Sequence, residues 1–175
     1  VSGLKIGHNI KYDAVVLATY DVNIAPVDDT MLLSFVLDGG RSEHGMDYLA
    51  MHHLNHTTIA FKDVAGSGKN RITFDLVPLD RARDYAAEDA DVTWRLHALL
   101  KPGLLAERMV AMYETIERPL IPVLRDMERA GIRVERAKLD RLSADFGRRI
   151  VALEATIHKL AGRPFAIGSP KQLGE

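Results

Sequence analysis

Residues 4–13 read LKIGHNIKYD, and this stretch decides the fold class. Its first half alternates apolar and polar side chains, as a short β-strand does, and apolar residues then recur at helical spacing from Tyr12 to Tyr20. A strand that leads directly into a helix is typical of an α/β fold. Asp13 would lie beyond the carboxyl end of the strand, where sites in α/β sheets are usually found. The alternative is that Asn9 or Asp13 merely caps the helix.

A second informative stretch reads YAAED at residues 85–89, within a helical pattern from Leu79 to Leu100. Tyr85 and Asp89 are in i and i+4 positions, so the phenol and the carboxylate share one face of the helix. A hydroxyl beside a carboxylate that holds a hard cation is what activation of a bound water would need. The alternative is a solvated helix face, and we expect Glu88 and Asp91 to be surface acids.

The remaining periodicity predicts a mostly helical chain. Helices are expected at residues 31–37, 46–54, 104–129 and 139–160, with a long loop at residues 55–78. The first of these helices follows Asp28-Asp29-Thr30, residues that suit an N-cap. Pro102-Gly103 predicts the end of the helix that begins at Leu79. Pro119 and Pro122 interrupt a long helical pattern, and this interruption is the candidate domain boundary. The apolar stripe from Leu139 to Leu160 is interpreted as core.

The composition is that of an ordinary globular protein. The 175 residues are 47% hydrophobic and 27% charged, enough for one domain or for one domain and part of another. The formal net charge is -1, so any contact with nucleic acid must come from a local patch. The absence of cysteine excludes disulfides and cysteine-ligated metal sites, and no apolar run approaches the roughly 20 residues of a membrane span. The chain begins Val1-Ser2-Gly3, so we expect a longer parent protein.

Two other patterns resemble ligand-binding motifs but lack residues that those motifs require. Gly66-Ser67-Gly68-Lys69 resembles part of a phosphate-binding loop, yet Asp63 stands where the first glycine belongs and Asn70 replaces the required Ser or Thr. Three histidines on or just after one helix could suggest zinc, but a fourth ligand is missing. We interpret these histidines, His52, His53 and His56, as solvated side chains.

Taken together, the two informative stretches resemble a known family. Asn9–Asp13 and Tyr85–Asp89 look like the second and third motifs of the DnaQ-like 3′→5′ exonucleases, in the subgroup with tyrosine in the third motif. The segments between them, and the stretch from Glu117 to Leu173, resemble bacterial family A DNA polymerases. The resemblance covers essentially the whole chain. The first motif of the family, Asp-x-Glu on a strand, would lie upstream of Val1.

The resemblance implies a ribonuclease H-like fold, in which a mixed five-stranded sheet has helices on both sides. Residues 1–112 would be the C-terminal part of the exonuclease domain, without its N-terminal strands, and residues 113–175 would be a mainly helical start of the polymerase domain. The absent strands carry the first motif. Residues 1–175 alone are therefore expected to be inactive as a nuclease and unstable as a monomer.

The resemblance also implies the chemistry. The reaction would be hydrolytic removal of the 3′-terminal nucleotide from single-stranded or frayed DNA, with two divalent ions, Mg²⁺ or alternatively Mn²⁺ or Zn²⁺. Asp89 would bind one ion directly, Asp13 would hold the second largely through water, and Tyr85 would help to orient the attacking hydroxide. The positions that match contacts to the terminal nucleotides are His8, Asn9 and Phe61. The parent enzyme, with DNA as its partner, is expected to be monomeric, cytoplasmic and nucleoid-associated, without membrane contact.

Two other functions stay open. A ribonuclease D-like RNA-trimming exonuclease shares both motifs, although the polymerase-like stretch from Glu117 to Leu173 argues against it. An inactive exonuclease-like scaffold of a family A polymerase is the second alternative. The presence of Asp13, Tyr85 and Asp89 argues against such decay, whereas the missing first motif leaves it open.

Overall fold

The computed structural model describes residues 3–174, which form two compact units that divide after Gly131. The elements are β1 (Lys5–Gly7), α1 (Ile10–Ala18), β2 (Val27–Asp29), α2 (Thr30–Asp38), α3 (Met46–Leu54), α4 (Phe61–Ala65), α5 (Leu79–Ala106), α6 (Val110–Met112), a π-helical turn (Tyr113–Glu117), α7 (Arg118–Ala130), α8 (Arg136–Ala161) and α9 (Pro170–Leu173). The predicted α/β class, with helices predominating, is confirmed. None of the helices within this part of the chain combines the length and apolar character that a membrane crossing requires.

The two strands form a parallel pair in which Lys5 is opposite Val27 and Gly7 is opposite Asp29. Helix α1 connects them, so the first unit begins with a βαβ arrangement. Because parallel strands end at the same edge of a sheet, the start of α1 and the start of α2 lie side by side. Asp29 caps α2 by accepting a hydrogen bond from the backbone N–H of Met31.

The main core of the first unit surrounds α5. Its buried members come from α2, α3, α5 and the π-helical turn, namely Leu33, Val36, Leu49, Ala50, Val92, Leu96, Leu100, Leu104 and Tyr113. Each large apolar side chain buried in this way contributes about 1.5–3 kcal/mol to stability. Helix α5 therefore has a fixed buried side, and its remaining sides are free to carry polar groups.

The predicted end of α5 at Pro102-Gly103 is wrong, because the helix continues to Ala106. A proline within a helix costs about 3 kcal/mol. Leu100 and Leu104 are both buried, and burial of these flanking leucines favours the continuous helix. Gly103 also has a packing role, since a Cβ there would lie 3.2 Å from a methyl group of Leu37.

The predicted long loop at residues 55–78 contains more structure than its sequence indicated. Helix α4 lies within it, and Val64, Ala65 and Val77 form a second small core. The helix has only five residues, which is too short for periodicity to reveal. Its burial against α5 is a tertiary effect.

The first unit extends beyond the predicted domain boundary between residues 112 and 113. A π-helical turn immediately precedes α7, whose second residue is Pro119, and α7 packs against α1. Lys11 of α1 also forms an ion pair with Glu128 of α7. Packing of α7 against α1 does not show which domain of a longer protein each segment belongs to. The domain boundary after residue 112 therefore stays a prediction.

The second unit contains α8 and α9. The apolar stripe of α8 was predicted to be core, but no α8 residue is buried, and Phe146 is 52% exposed. The interpretation as core is therefore wrong for the part of the chain that the structure describes. A unit that begins only at Ile132 has too little apolar surface to cover a long helix.

Candidate functional site

The two informative sequence stretches meet at one cavity of about 420 Å³. Asp13, in the first turn of α1, and Asp89, in the middle of α5, both line this cavity. His8 lines it as well, and Trp94 contributes a large apolar surface that is 64% exposed. Two carboxylates that are far apart in sequence thus face the same space.

The surroundings of both carboxylates raise their pKa values. Burial raises the pKa of Asp89, and the nearby charges of Glu88 and Asp47 raise it further, against the hydrogen bond of Tyr85 that lowers it. Burial also raises the pKa of Asp13, with a smaller contribution from the charge of Asp29. A positive ion in the cavity would favour the ionised forms of Asp13 and Asp89.

Tyr85 lies one helical turn before Asp89, with its ring among other aromatic rings. The ring centroids of Phe61 and Phe74 are each 5.9 Å from that of Tyr85. Burial raises the pKa of the Tyr85 phenol, and the charge and hydrogen bond of Asp89 add to this effect. The phenol therefore keeps its proton and can donate it in a hydrogen bond.

Phe61 has a packing role in the structure. Its ring lies 6.1 Å from Phe74 in a stacked arrangement and packs against the second small core. The guanidinium of Arg71 lies 5.3 Å from the ring centroid. Phe61 remains half-buried, so part of the ring is available to a ligand next to Tyr85.

His8 and Asn9 occupy the junction between β1 and α1. Nδ1 of His8 is 2.9 Å from the hydroxyl of Thr30, which donates a hydrogen bond to the carbonyl of Gly7 at 3.2 Å. Burial lowers the pKa of His8 and favours the neutral imidazole. The side chain of Asn9 is exposed and makes no capping hydrogen bond, which contradicts the interpretation of this residue as a side-chain cap of α1.

Asp29 makes the capping contacts that Asn9 does not. Its carboxylate accepts hydrogen bonds from the backbone N–H groups of Asn9 and Ile10, each at 2.9 Å. Burial raises the pKa of Asp29, and these backbone hydrogen bonds oppose the rise. The sequence indicated only that Asp28-Asp29-Thr30 suits an N-cap of α2, because a contact across two strands leaves no local signal.

Glu88 and His56 were predicted to be solvated, and the structure corrects both. Glu88 accepts a hydrogen bond from the backbone N–H of Ile59 at 2.6 Å, and its other carboxylate oxygen lies 2.9 Å from Nε2 of His56. These contacts join the segment before Phe61 to α5, one residue from Asp89. Asp91 is exposed and pairs with Arg95 at 3.5 Å, as expected of a surface acid.

A separate polar network surrounds Asp28, which is 1% exposed. Nε2 of His97 lies 2.8 Å from its carboxylate, and Nζ of Lys101 lies 3.1 Å away. The hydroxyl of Tyr113 donates a further hydrogen bond at 3.1 Å. Burial alone would raise the pKa of Asp28, but the hydrogen bonds from His97 and Lys101 outweigh it, so the pKa is lowered. The network joins β2 to α5 and to the π-helical turn.

The donor set of the cavity suits a hard cation. Carboxylate oxygens are the ligands that Mg²⁺ prefers, and Asp13 and Asp89 supply them. Within residues 3–174, no three histidine, cysteine, aspartate or glutamate side chains form a group that could hold a metal ion. His52 stacks on Tyr48 at a centroid distance of 5.6 Å and meets the ring of His53 edge-on at 4.8 Å.

A comparison with known protein families identifies the group to which this arrangement belongs. The family model of the 3′-5′ exonuclease of DNA polymerase A matches residues 2–105, more than half of the chain. The chain belongs to this exonuclease family. The family membership that the two motifs predicted is thereby confirmed.

Relatives of this exonuclease family extend the similarity beyond residue 105. DNA polymerase I of Rhizobium leguminosarum is 54% identical over 174 residues, which are 99% of this chain and 17% of that protein. DNA polymerase I of Pseudomonas aeruginosa is 47% identical over 175 residues, covering 98% of this chain and 19% of that protein. The chain thus spans less than a fifth of the length of these relatives.

A solved structure shows the same fold. The POL domain of Pol1 from M. smegmatis, in a complex with DNA primer-template and dNTP, superposes with a TM-score of 0.67. The alignment covers 95% of this chain and 26% of that chain, at 23% sequence identity. At this identity the likeness supports the fold alone.

Proposed function

We propose that this chain is a segment of a DNA polymerase I and that its first part takes part in two-metal-dependent 3′→5′ proofreading. The observation that carries the proposal is the convergence of Asp13 and Asp89 on one cavity, with Tyr85 one helical turn from Asp89. The parent enzyme would also perform template-directed DNA synthesis. A single-stranded or frayed 3′ end of DNA would be the substrate.

The two cavity carboxylates and the neighbouring Tyr85 have separate roles in this mechanism. Two divalent ions, when bound, would stabilise the attacking and leaving oxygens of an in-line displacement at phosphorus. Asp89 would hold one ion directly, and Asp13 would hold the other largely through water. The Tyr85 phenol, which keeps its proton, would orient the attacking oxygen by a hydrogen bond. Further carboxylates would have to come from the Asp-x-Glu motif expected upstream.

The substrate contacts would not depend on base identity. The half-buried ring of Phe61 presents a face on which any base can stack. His8 lines the cavity, and Asn9 is exposed at the start of α1, so both can reach a terminal nucleotide. Tolerance of every base is a requirement of proofreading, because a mismatched terminus can carry any of them.

The two alternatives are weaker on specific grounds. Similarity to DNA polymerase I covers 99% of the chain, including the residues beyond the exonuclease match, which disfavours a ribonuclease D-like enzyme. An inactive scaffold would have no need to keep Asp13 and Asp89 together at the cavity, with Tyr85 one helical turn before Asp89.

Replacement of one carboxylate tests the proposal in the full-length polymerase. Asp89→Ala should abolish 3′→5′ degradation of a labelled DNA strand while nucleotide addition stays near normal. The matched control is Asp91→Ala, because Asp91 lies on the same helix and is exposed. Degradation by the Asp89→Ala enzyme at the wild-type rate would exclude the proposed role of the cavity, and equal loss in both variants would show a general effect on α5.

A further inference from the structure

Asp29 is a buried carboxylate whose hydrogen bonds reach two helices at once. It lies at the end of β2 and is 2% exposed. Oδ1 accepts hydrogen bonds from the backbone N–H groups of Asn9 and Met31, and Oδ2 accepts one from Ile10, each at 2.9 Å. The same side chain therefore caps α2, which follows it directly, and α1, which begins about 20 residues earlier.

Helix α1 has no side-chain cap of its own. Asn9, at its N-cap position, has left-handed backbone angles, with φ 57° and ψ 44°, and its side chain makes no capping hydrogen bond. The first N–H groups of a helix need an acceptor when they are removed from water. Asp29 supplies that acceptor, and the adjacent Ile10 is only 4% exposed.

The position of Asp13 depends on this end of α1. Asp13 lies in the first turn of the helix, one turn after Ile10, and a shift or fraying of that turn would move its carboxylate directly. Asp89 is held separately, because α5 is fixed by its own buried residues Val92 and Leu96. The separation of the two carboxylates is thus set by how firmly the start of α1 is attached to β2.

We propose that Asp29 is a positioning residue for the metal site, which holds the first turn of α1 so that Asp13 faces Asp89 across the cavity. The inference rests on the proposed function, since it concerns the ions that Asp13 and Asp89 would bind. Asp29 itself touches no substrate. Its effect is carried by the backbone N–H groups of Asn9 and Ile10.

A substitution can separate the long-range contacts from the local cap. In Asp29→Ser, the shorter side chain can still cap α2 through Met31, as serine does at most N-caps. It cannot also reach the backbone of Asn9 and Ile10. Asp29→Asn is the second variant, because its single carbonyl oxygen can replace only part of the three contacts.

The matched control is Asp28→Asn in the same full-length polymerase. Asp28 precedes Asp29 on β2 and is equally buried, but its partners are His97, Lys101, Tyr113 and Arg118, none of which lies in α1. Loss of its network should lower the melting temperature without changing the attachment of α1. General loosening of the fold would therefore appear in the control as well.

Two measurements test the role of Asp29. The half-saturating Mn²⁺ concentration for exonuclease activity should rise about 10- to 100-fold in Asp29→Ser and Asp29→Asn, on the scale of losing an outer-shell contact, and stay within about twofold in Asp28→Asn. Calorimetric titration of the DNA-free enzyme with Mn²⁺ should show weaker Mn²⁺ binding in both Asp29 variants. The Asp89→Ala enzyme is the reference, because it reports Mn²⁺ binding at sites other than the cavity. Nucleotide addition should be unaffected in all variants.

The possible outcomes are distinct. If Asp89→Ala abolishes degradation but both Asp29 variants bind and use Mn²⁺ like the wild type, the inference is wrong and the proposed function stands. An equal rise of the half-saturating Mn²⁺ concentration in Asp28→Asn would assign Asp29 a general structural role and overturn the inference. Failure of both Asp29 variants to fold would do the same. If degradation survives in Asp89→Ala, the proposed function itself fails.

Discussion

Replacement of Tyr85 by phenylalanine removes one hydroxyl from the candidate site and leaves the ring in place. The contacts of the ring with Phe61 and Phe74, at centroid distances of 5.9 Å, do not involve the hydroxyl. Stability should therefore change little. The loss is confined to a protonated phenol that interacts with the carboxylate of Asp89.

The size of the effect follows from the partner of the hydroxyl. In the proposed mechanism the phenol donates its hydrogen bond to the attacking oxygen. A hydrogen bond to a charged group is worth about 1.5–3 kcal/mol, so its loss in the transition state corresponds to a rate change of about 10- to 200-fold. Loss of one positioned catalytic group can reach the same range or more, up to about 1000-fold. We therefore expect the hydrolysis rate at saturating DNA to fall about 10- to 1000-fold, with DNA affinity little changed.

The pH dependence should change in a defined direction. The hydrogen bond from Tyr85 lowers the pKa of Asp89, which burial has raised above its ordinary value. Removal of the hydroxyl therefore raises the pKa of Asp89 further. Because a protonated carboxylate holds a cation poorly, the acid limb of the rate profile should move to higher pH in Tyr85→Phe.

The assay is single-turnover degradation of a labelled single strand by the full-length polymerase, with the rate measured at saturating Mg²⁺ and the pH profile at a subsaturating Mg²⁺ concentration, where protonation of Asp89 competes with the cation. Tyr20→Phe is the matched control, because it removes the same hydroxyl from a side chain that is 76% exposed. Thermal melting checks that both variants are folded. A Tyr85→Phe rate within twofold of wild type, with an unmoved acid limb, would leave Tyr85 with a packing role only.

The other predictions concern Phe61 and the isolated chain. Phe61→Ala should weaken binding of single-stranded 3′ ends by about 1–3 kcal/mol, with little dependence on base identity, because one stacking surface is lost. Fluorescence anisotropy with different 3′ bases measures this, and a folded variant with lower melting temperature but wild-type affinity would limit Phe61 to packing. Residues 1–175 alone should show no Mg²⁺-dependent nuclease activity, because Asp13 and Asp89 are the only carboxylates among the described residues that line the cavity. The isolated chain should also lack cooperative melting, and a cooperatively folded, active monomer would contradict both expectations.

Local sequence signals determined the elements that depend on local physics. The strand before residue 10, the bounds of α3 and the cap of α2 at Asp29 all follow from alternation, helical spacing and capping residues. The two motifs also sufficed to indicate the family, because Asn9–Asp13 and Tyr85–Asp89 are short, contiguous strings. None of these features requires knowledge of what lies opposite in space.

Only the tertiary structure decided the features that depend on a distant partner. Helix α5 continues past Pro102 because Leu100 and Leu104 are buried by other elements, and Glu88 is held by the segment that precedes Phe61. The stripe on α8 has an amphipathic pattern, yet periodicity describes only one surface and not whether another surface covers it. Asp29 shows the same limit at the site. Its local role as a cap was visible in the sequence, whereas its contact with α1 exists only because two parallel strands end side by side.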